Sequence, residues 1–262
     1  MARTAQAAGR PIPTSVSVEM PFYGDNLDEF VNAAQIPLSA DIQTRGSKPD
    51  AEFQQFQAEF AEALRKRAGV TDQEIQAEYG GDPNGRGPQN LRWVHAILRA
   101  LDKKVPGMGA SVVEAFTRDT FLYLTKPGIR TAIDRIVSGA FSEDRPMVVV
   151  AHSLGTVVTY SVLTSDRRNL RLPLLVTLGS PLAVRAVRDP FRPLTYPAAV
   201  GRWYSAFDQR DVVSLDPLDD QNFPVGGTIT NNDSVRNQTD NRHGIVGYLN
   251  DPAVVAQILL GA

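Results

Sequence analysis

The sequence predicts an α/β protein: a mostly parallel sheet flanked by helices. Three observations carry that expectation. Residues 147–151 (MVVVA), 174–178 (LLVTL) and 203–207 (WYSAF) are short, continuous apolar runs, the pattern of strands buried on both faces. The segments before and between them repeat apolar residues at helical spacing. The order from residue 147 onward is strand, helix, strand, strand, helix, which suits a parallel sheet covered by helices.

Taken along the chain, residues 1–14 read as irregular. Residues 15–22 (SVSVEMPF) alternate and carry two valines, so a strand is expected there, ending at the turn Tyr23-Gly24-Asp25. A long helical stretch follows. Phe53, Phe56, Phe60 and Leu64 form one stripe, between a Gly/Ser/Pro loop at 46–49 and Gly69. This stripe reads first as helix-on-core packing and second as a lid face that touches acyl chains or membrane. Residues 80–90 (GGDPNGRGPQN) are the most loop-like segment. Leu91, Val94, Ile97, Leu98 and Leu101 mark another helix. A further one is expected over about 110–124, and one more after Pro127 with Ile129, Ile133, Ile136 and Val137. Past the first buried strand, residues 155–163 read as a buried helix. Residues 214–242 are loop-rich. A last helix starts at Pro252, with Asp251 as its N-cap.

Composition excludes several kinds of chemistry. The 262 residues contain no cysteine, which removes disulfide scaffolds, thiolate metal sites and cysteine nucleophiles. Three histidines, His95, His152 and His243, are too few for a multi-histidine metal site. A net charge of -2 gives no basic footprint for nucleic acid, and Arg65-Lys66-Arg67 and Lys103-Lys104 read as solvated helix ends. No phosphate-binding glycine loop occurs, and the carboxylates of 208–220 lack the spacing of a calcium loop, so neither cofactor nor metal is expected. No apolar run reaches membrane-spanning length and the first residues lack a secretory apolar core, so a cytoplasmic protein without a transmembrane segment is expected.

The chemistry is concentrated at Ala151-His152-Ser153-Leu154-Gly155, where a buried strand turns into a helix. This is a nucleophile-elbow pattern with alanine for the first glycine. A serine on such a strained turn holds its hydroxyl clear of the backbone. Positions two before and two after it are expected to approach each other, which small residues such as Ala151 and Gly155 allow. The N–H of Leu154, at the start of the following helix, would be one oxyanion donor. The competing reading is an ordinary strand-to-helix turn with an inert serine.

Serine needs a base at neutral pH. His152 adjoins Ser153 on the same turn and should point away from it, as a packing residue. His95 sits one step off a helical stripe and reads as a half-exposed helix residue. His243, in Asn241-Arg242-His243-Gly244 before the terminal helix, remains as the base. The acid must lie between nucleophile and base. Asp211 and Asp208 both follow the 203–207 strand at its carboxyl end; Asp211 is preferred because Val212 and Val213 resume an apolar pattern behind it, and Asp208 is the alternative.

At these residues the chain resembles the α/β-hydrolase superfamily, in its serine lipase and esterase branch, and in particular bacterial proteins related to GPI-inositol deacylases. The resemblance rests on VVVAHSLGTVVTY at 148–160, LVTLGSPL at 175–182, the D-x-x-D-V-V turn at 208–213 and V-R-N…H-x-x-x-x-Y-L at 235–249. It covers roughly residues 146–262. It implies an α/β-hydrolase fold with Ser153 as nucleophile, Asp211 as acid and His243 as base, and a structural role for the turn Gly179-Ser180-Pro181. It further implies one domain over 1–262, with 26–126 as a helical insertion of the kind that caps the site. Such proteins open with a strand ending in His-Gly, whose loop gives the second oxyanion donor. Here the only His-Gly is His243-Gly244, so the first strand is expected to be missing, and a backbone N–H at Tyr23 or Gly24 is the candidate replacement. A missing strand leaves a sheet edge that another chain, in a homo-oligomer, or a loop must cover.

The expected activity is hydrolysis of a carboxylic ester, of a lipid or other acyl substrate, through an acyl-enzyme. The alternative is a weak or inactive hydrolase-like protein that serves as a protein-interaction module. Acyl transfer or thioester hydrolysis is a third outcome of the same triad.

Overall fold

Four strands among the described residues form one sheet: β1 (Val148–His152), β2 (Leu174–Leu178), β3 (Trp203–Ala206) and β4 (Ile229–Asn232). Every pairing is parallel, and the order in space is the order in the chain. The structure is a computed structural model and describes residues 1–7, 12, 16–36, 38, 50–82, 87, 90–104, 110–214 and 216–261. In register, His152 lies beside Leu178, Leu178 beside Ala206, and Ala206 beside Asn232. The strands thus end level, and the segments after them meet at one edge of the sheet.

Helices cover both faces. Leu174, Val176 and Leu178 of β2 pack with Val254 and Ile258 of the terminal helix, 252–261, on one side. Leu175 faces the other way, into the larger core with Val157 and Val158 of the helix that follows β1. A strand walled on both sides needs no polar alternation, which is why LLVTL is an unbroken apolar run. The same holds for β3. It does not hold for β1, which is an edge strand: Val148 and Val149 are half-buried and Val150 is 38% exposed.

In chain order the helices are α1 (Ala2–Ala7), α2 (Gly24–Ala34), α3 (Ala51–Arg67), α4 (Asp72–Tyr79), α5 (Leu91–Lys104), α6 (Ala110–Thr125), α7 (Pro127–Gly139), α8 (Leu154–Ser165), the single turn α9 (Arg185–Arg188), α10 (Ile245–Leu249) and α11 (Pro252–Gly261). Local sequence explains their limits. Asp50 caps α3 by accepting the Phe53 N–H at 2.8 Å, and Arg65, Lys66 and Arg67 lie in its last turn, where the helix dipole favours cations. Phe53, Phe60 and Leu64 are buried, so this stripe is core packing. A capping box of Thr71 and Glu74 opens α4, a helix within the stretch after Gly69. Leu27 of α2, Phe60 of α3, Ile97 of α5 and Val113 of α6 belong to the same core as Leu154, Val157 and Leu175. The helical stretch 26–126 therefore shares its core with the sheet. Among the described residues no helix is long and apolar enough to cross a membrane.

Three expectations fail. Residues 16–22 belong to no strand or helix, with Val18 83% and Met20 79% exposed. Alternation alone does not make a strand; a partner edge is needed, and Pro21 has no N–H to offer one. Glu19 of this segment pairs with Arg145, three residues before β1, at 3.5 Å. Residues 2–7, read as irregular, form α1, whose neighbour Met1 donates its amino group to Asn250 Oδ1 at 3.2 Å. Finally, β4 lies in the stretch read as loop; its four residues, ITNN, are too polar and too few to stand out. The expected loop at 46–49, and residues 83–86 and 88–89 of the loop at 80–90, lie outside the described residues.

Candidate active site

Ser153 sits between β1 and α8 with φ 54° and ψ −130°, a conformation that costs a non-glycine residue about 1–3 kcal/mol. The fold holds it there. Its N–H extends the sheet ladder to the Leu178 carbonyl at 3.1 Å, and its carbonyl accepts the Thr156 hydroxyl at 2.7 Å. The Leu154 N–H is the first of α8 and has no hydrogen-bond partner among the described residues. The expected crowding between Ala151 and Gly155 is not seen. A Cβ at 155 would meet no Ala151 side-chain atom within 4 Å; it would meet the Tyr23 hydroxyl, at 3.6 Å.

Ser153, His243 and Asp211, separated widely in the chain, form one hydrogen-bonded row. His243 Nε2 is 2.6 Å from Ser153 Oγ, and His243 Nδ1 is 2.7 Å from Asp211 Oδ2. Asp211 is acceptor-only when ionised, so Nδ1 carries the proton and Nε2 is the lone pair that faces the serine hydroxyl. Asp211 is 1% exposed. Burial alone would raise its pKa, but His243, the Tyr248 hydroxyl at 2.7 Å and the Val213 N–H at 3.0 Å more than offset that, and the carboxyl stays below its usual range. Conversely burial, and then the Asp211 charge, push the Tyr248 phenol far up, so it remains a donor.

The loop that carries His243 is pinned by Asn237, which is fully buried. Its amide donates to the carbonyls of Arg242 and Gly244, both at 2.9 Å, and its Oδ1 accepts from Thr239. Asp208 anchors this loop in turn. Its carboxylate accepts the Asn237 N–H at 2.7 Å and pairs with Arg210 at 2.6 Å. Asp208, the alternative acid, is thereby occupied away from His243, and the structure brings Asp211 to the imidazole.

Gly179 ends β2 with φ 55°. A Cβ there would stand 3.1 Å from Asp211 Oδ2 and 3.2 Å from His243 Cε1. The glycine thus gives Asp211 and His243 room to meet, a role beyond the turn that the sequence suggested. His152 is turned to the His243 loop and makes no hydrogen bond to Ser153 among the described residues. Its ring lies 4.8 Å from that of His243, and its Nε2 donates to the His243 carbonyl at 2.6 Å. Burial first, then the neighbouring imidazole, lower the His152 pKa to about 4. Phe116 of α6 sets its edge against the other side of His243, with centroids 5.9 Å apart. Behind Phe116, rings of Phe60, Phe56, Phe121 and Phe53 follow at 5.5–6.4 Å spacings.

Two expected residues stand differently. His95 is buried, 9% exposed, with Glu114 at 3.8 Å, because α5 buries every residue from Trp93 to Leu98. Gly24, the candidate oxyanion donor, opens α2, and its N–H has no partner among the described residues. What places this turn near the elbow is the Tyr23 side chain. Tyr248 was missed as an individual, although it stands in the H-x-x-x-x-Y-L string. Among the described residues no group of three or more His, Asp or Glu could hold a metal ion.

No protein-family model matches the chain, and the comparisons with curated proteins and with solved structures give no match either.

Proposed function

We propose that the protein is a serine hydrolase of the α/β-hydrolase type that cleaves carboxylic esters through an acyl-enzyme. The observation that carries this reading is the Ser153–His243–Asp211 row, with separations of 2.6 and 2.7 Å, on a serine held in a strained turn. Ser153 Oγ attacks the ester carbonyl as its proton passes to His243 Nε2. Asp211 keeps His243 in the productive tautomer and stabilises the imidazolium. Leu154 N–H receives the oxyanion at the helix terminus. His243 then hands the proton to the leaving alcohol, and water, activated by the same imidazole, releases the acid.

The acyl part of the substrate is apolar in this reading, a lipid or similar ester. The aromatic rings from Phe116 back to Phe53 support it, since they end against the imidazole. The α2–α6 stretch then acts as the cap. The interaction-module reading draws no support from a serine and a histidine in hydrogen-bond contact.

A fluorophosphonate probe tests the proposal. It should label the wild-type protein and not Ser153→Ala, and p-nitrophenyl butyrate turnover should be lost in the same variant. Labelling that persists in Ser153→Ala would place the reactive group elsewhere. Adding a second alcohol during p-nitrophenyl butyrate turnover, and measuring free butyrate against the new butyrate ester, separates hydrolysis from acyl transfer.

A further inference from the structure

The backbone donor next to Ser153 at the elbow is the Leu154 N–H, and oxyanion sites gain strongly from each added donor. A second unspent donor lies beside the same helix terminus. The Tyr23 hydroxyl stands 3.6 Å from where a Cβ on Gly155 would be, so the missing side chain at 155 leaves the phenol facing the first turn of α8. Its ring is half-buried against the main core. Its hydroxyl makes no hydrogen bond among the described residues and is not sealed from solvent, so it is open to a ligand. Folding does not account for that donor.

We propose that Tyr23 is a catalytic residue whose hydroxyl gives the second hydrogen bond to the oxyanion formed when Ser153 attacks the ester. This rests on the serine-hydrolase reading above. In the addition step the Ser153 Oγ–carbon bond forms, the serine proton moves to His243 Nε2, and the carbonyl π pair moves onto oxygen. Tyr23 shares its proton with that oxygen and does not transfer it. On collapse the pair returns to the carbonyl, and the leaving alcohol takes the proton from His243. The phenol suits the role: burial, and then the Asp119 carboxylate, raise its pKa to about 12, so it stays protonated at neutral pH. Asp119 in turn is bonded to Arg118 at 3.1 and 3.2 Å.

The experiment compares wild type, Tyr23→Phe and Ser153→Ala with p-nitrophenyl butyrate, and with a short-chain trifluoromethyl ketone that forms a hemiketal on an active serine. Tyr23→Phe should lower kcat by about 100-fold with KM changed less than about twofold, and weaken the ketone by a similar factor. Its thermal midpoint should match that of the wild type. An active wild type whose Tyr23→Phe variant keeps both kcat and ketone affinity overturns this inference and leaves the hydrolase reading intact. A variant that loses thermal stability, with KM and kcat moved together, shows a packing role and overturns it too. A wild type with no Ser153-dependent turnover or labelling overturns the hydrolase reading, and this inference with it.

Discussion

On one flank of Ser153, Asp211 takes hydrogen bonds from His243, Tyr248 and Val213, while Asn237 and Asp208 pin the loop that brings His243 in. On the other flank stand the Leu154 N–H and, beside Gly155, Tyr23, the N-cap of α2, which follows a segment that joins no strand ladder among the described residues. The first flank is assembled at the carboxyl ends of β2 and β3, inside a sheet buried on both faces. The second lies at the start of α8, beside the N-cap of α2. Proton transfer needs its two partners within hydrogen-bond reach at all times, and buried, mutually bonded groups provide that. An oxyanion donor acts only when charge develops, so its cost of waiting is an unspent hydrogen bond and not a buried charge.

The largest expected effect sharpens the acid–base side. Asp211→Asn keeps the shape of the pair but lets His243 present the wrong nitrogen to the serine, and kcat/KM for p-nitrophenyl butyrate should fall about 10⁴-fold. A fall below tenfold would show that the imidazole is oriented by something other than the carboxylate.

The next effect is on stability and depends on pH. His152 binds a proton near 6.5 when unfolded and near 4 in the fold. Between those values the unfolded chain holds more protons, so this residue makes stability fall as pH falls through that window. Above about 6.5 both forms are neutral and the contribution is flat. The whole effect is on the order of 3 kcal/mol. Urea titrations of wild type and His152→Gln should therefore diverge from pH 7 to pH 4, with the wild type losing more. Parallel curves would mean that His152 is not held neutral beside His243.

Tyr248→Phe removes one of three hydrogen bonds to Asp211 and leaves two. It should cost about 2 kcal/mol in stability and about tenfold in kcat, read by the same titration and assay. If the loss equals that of Asp211→Asn, the acid depends on the phenol far more than its other contacts imply.

The same contrast explains what could be read from the sequence. That Ser153, Asp211 and His243 meet was legible because Ser153 follows an apolar strand, Asp211 follows a turn at a strand end, and elimination left one histidine. Buried β2 and β3 were legible as continuous apolar runs. Whether β1 stood inside the sheet or at its edge was not, because strand order is a long-range property that MVVVA does not encode. Gly179 was noticed as a turn, but its closeness to Asp211 and His243 depends on two other segments folding over it. Tyr248 sat inside a motif without a stated task, since Asp211 is 37 residues away; Asn237 sat there too, although its side-chain partners Arg242 and Gly244 are local, 5 and 7 residues on. The Thr71–Glu74 capping box was local and could have been found.

The smallest expected effect tests the weaker flank. Val18 and Met20 look like the inward face of a strand in the sequence but are among the most exposed apolar residues of the chain. Val18→Ser and Met20→Ser should each change stability by less than about 0.5 kcal/mol, as surface substitutions do. Urea unfolding measures this directly. A loss above about 1 kcal/mol from either would mean that residues 16–22 pair with the open edge of β1 in solution. The nucleophile strand would then be an interior strand, and Tyr23 would hang from a ladder as firm as the one that positions Asp211. The difference between the two flanks would vanish at its source, because one flank is called weaker for a supporting segment that joins no strand ladder among the described residues.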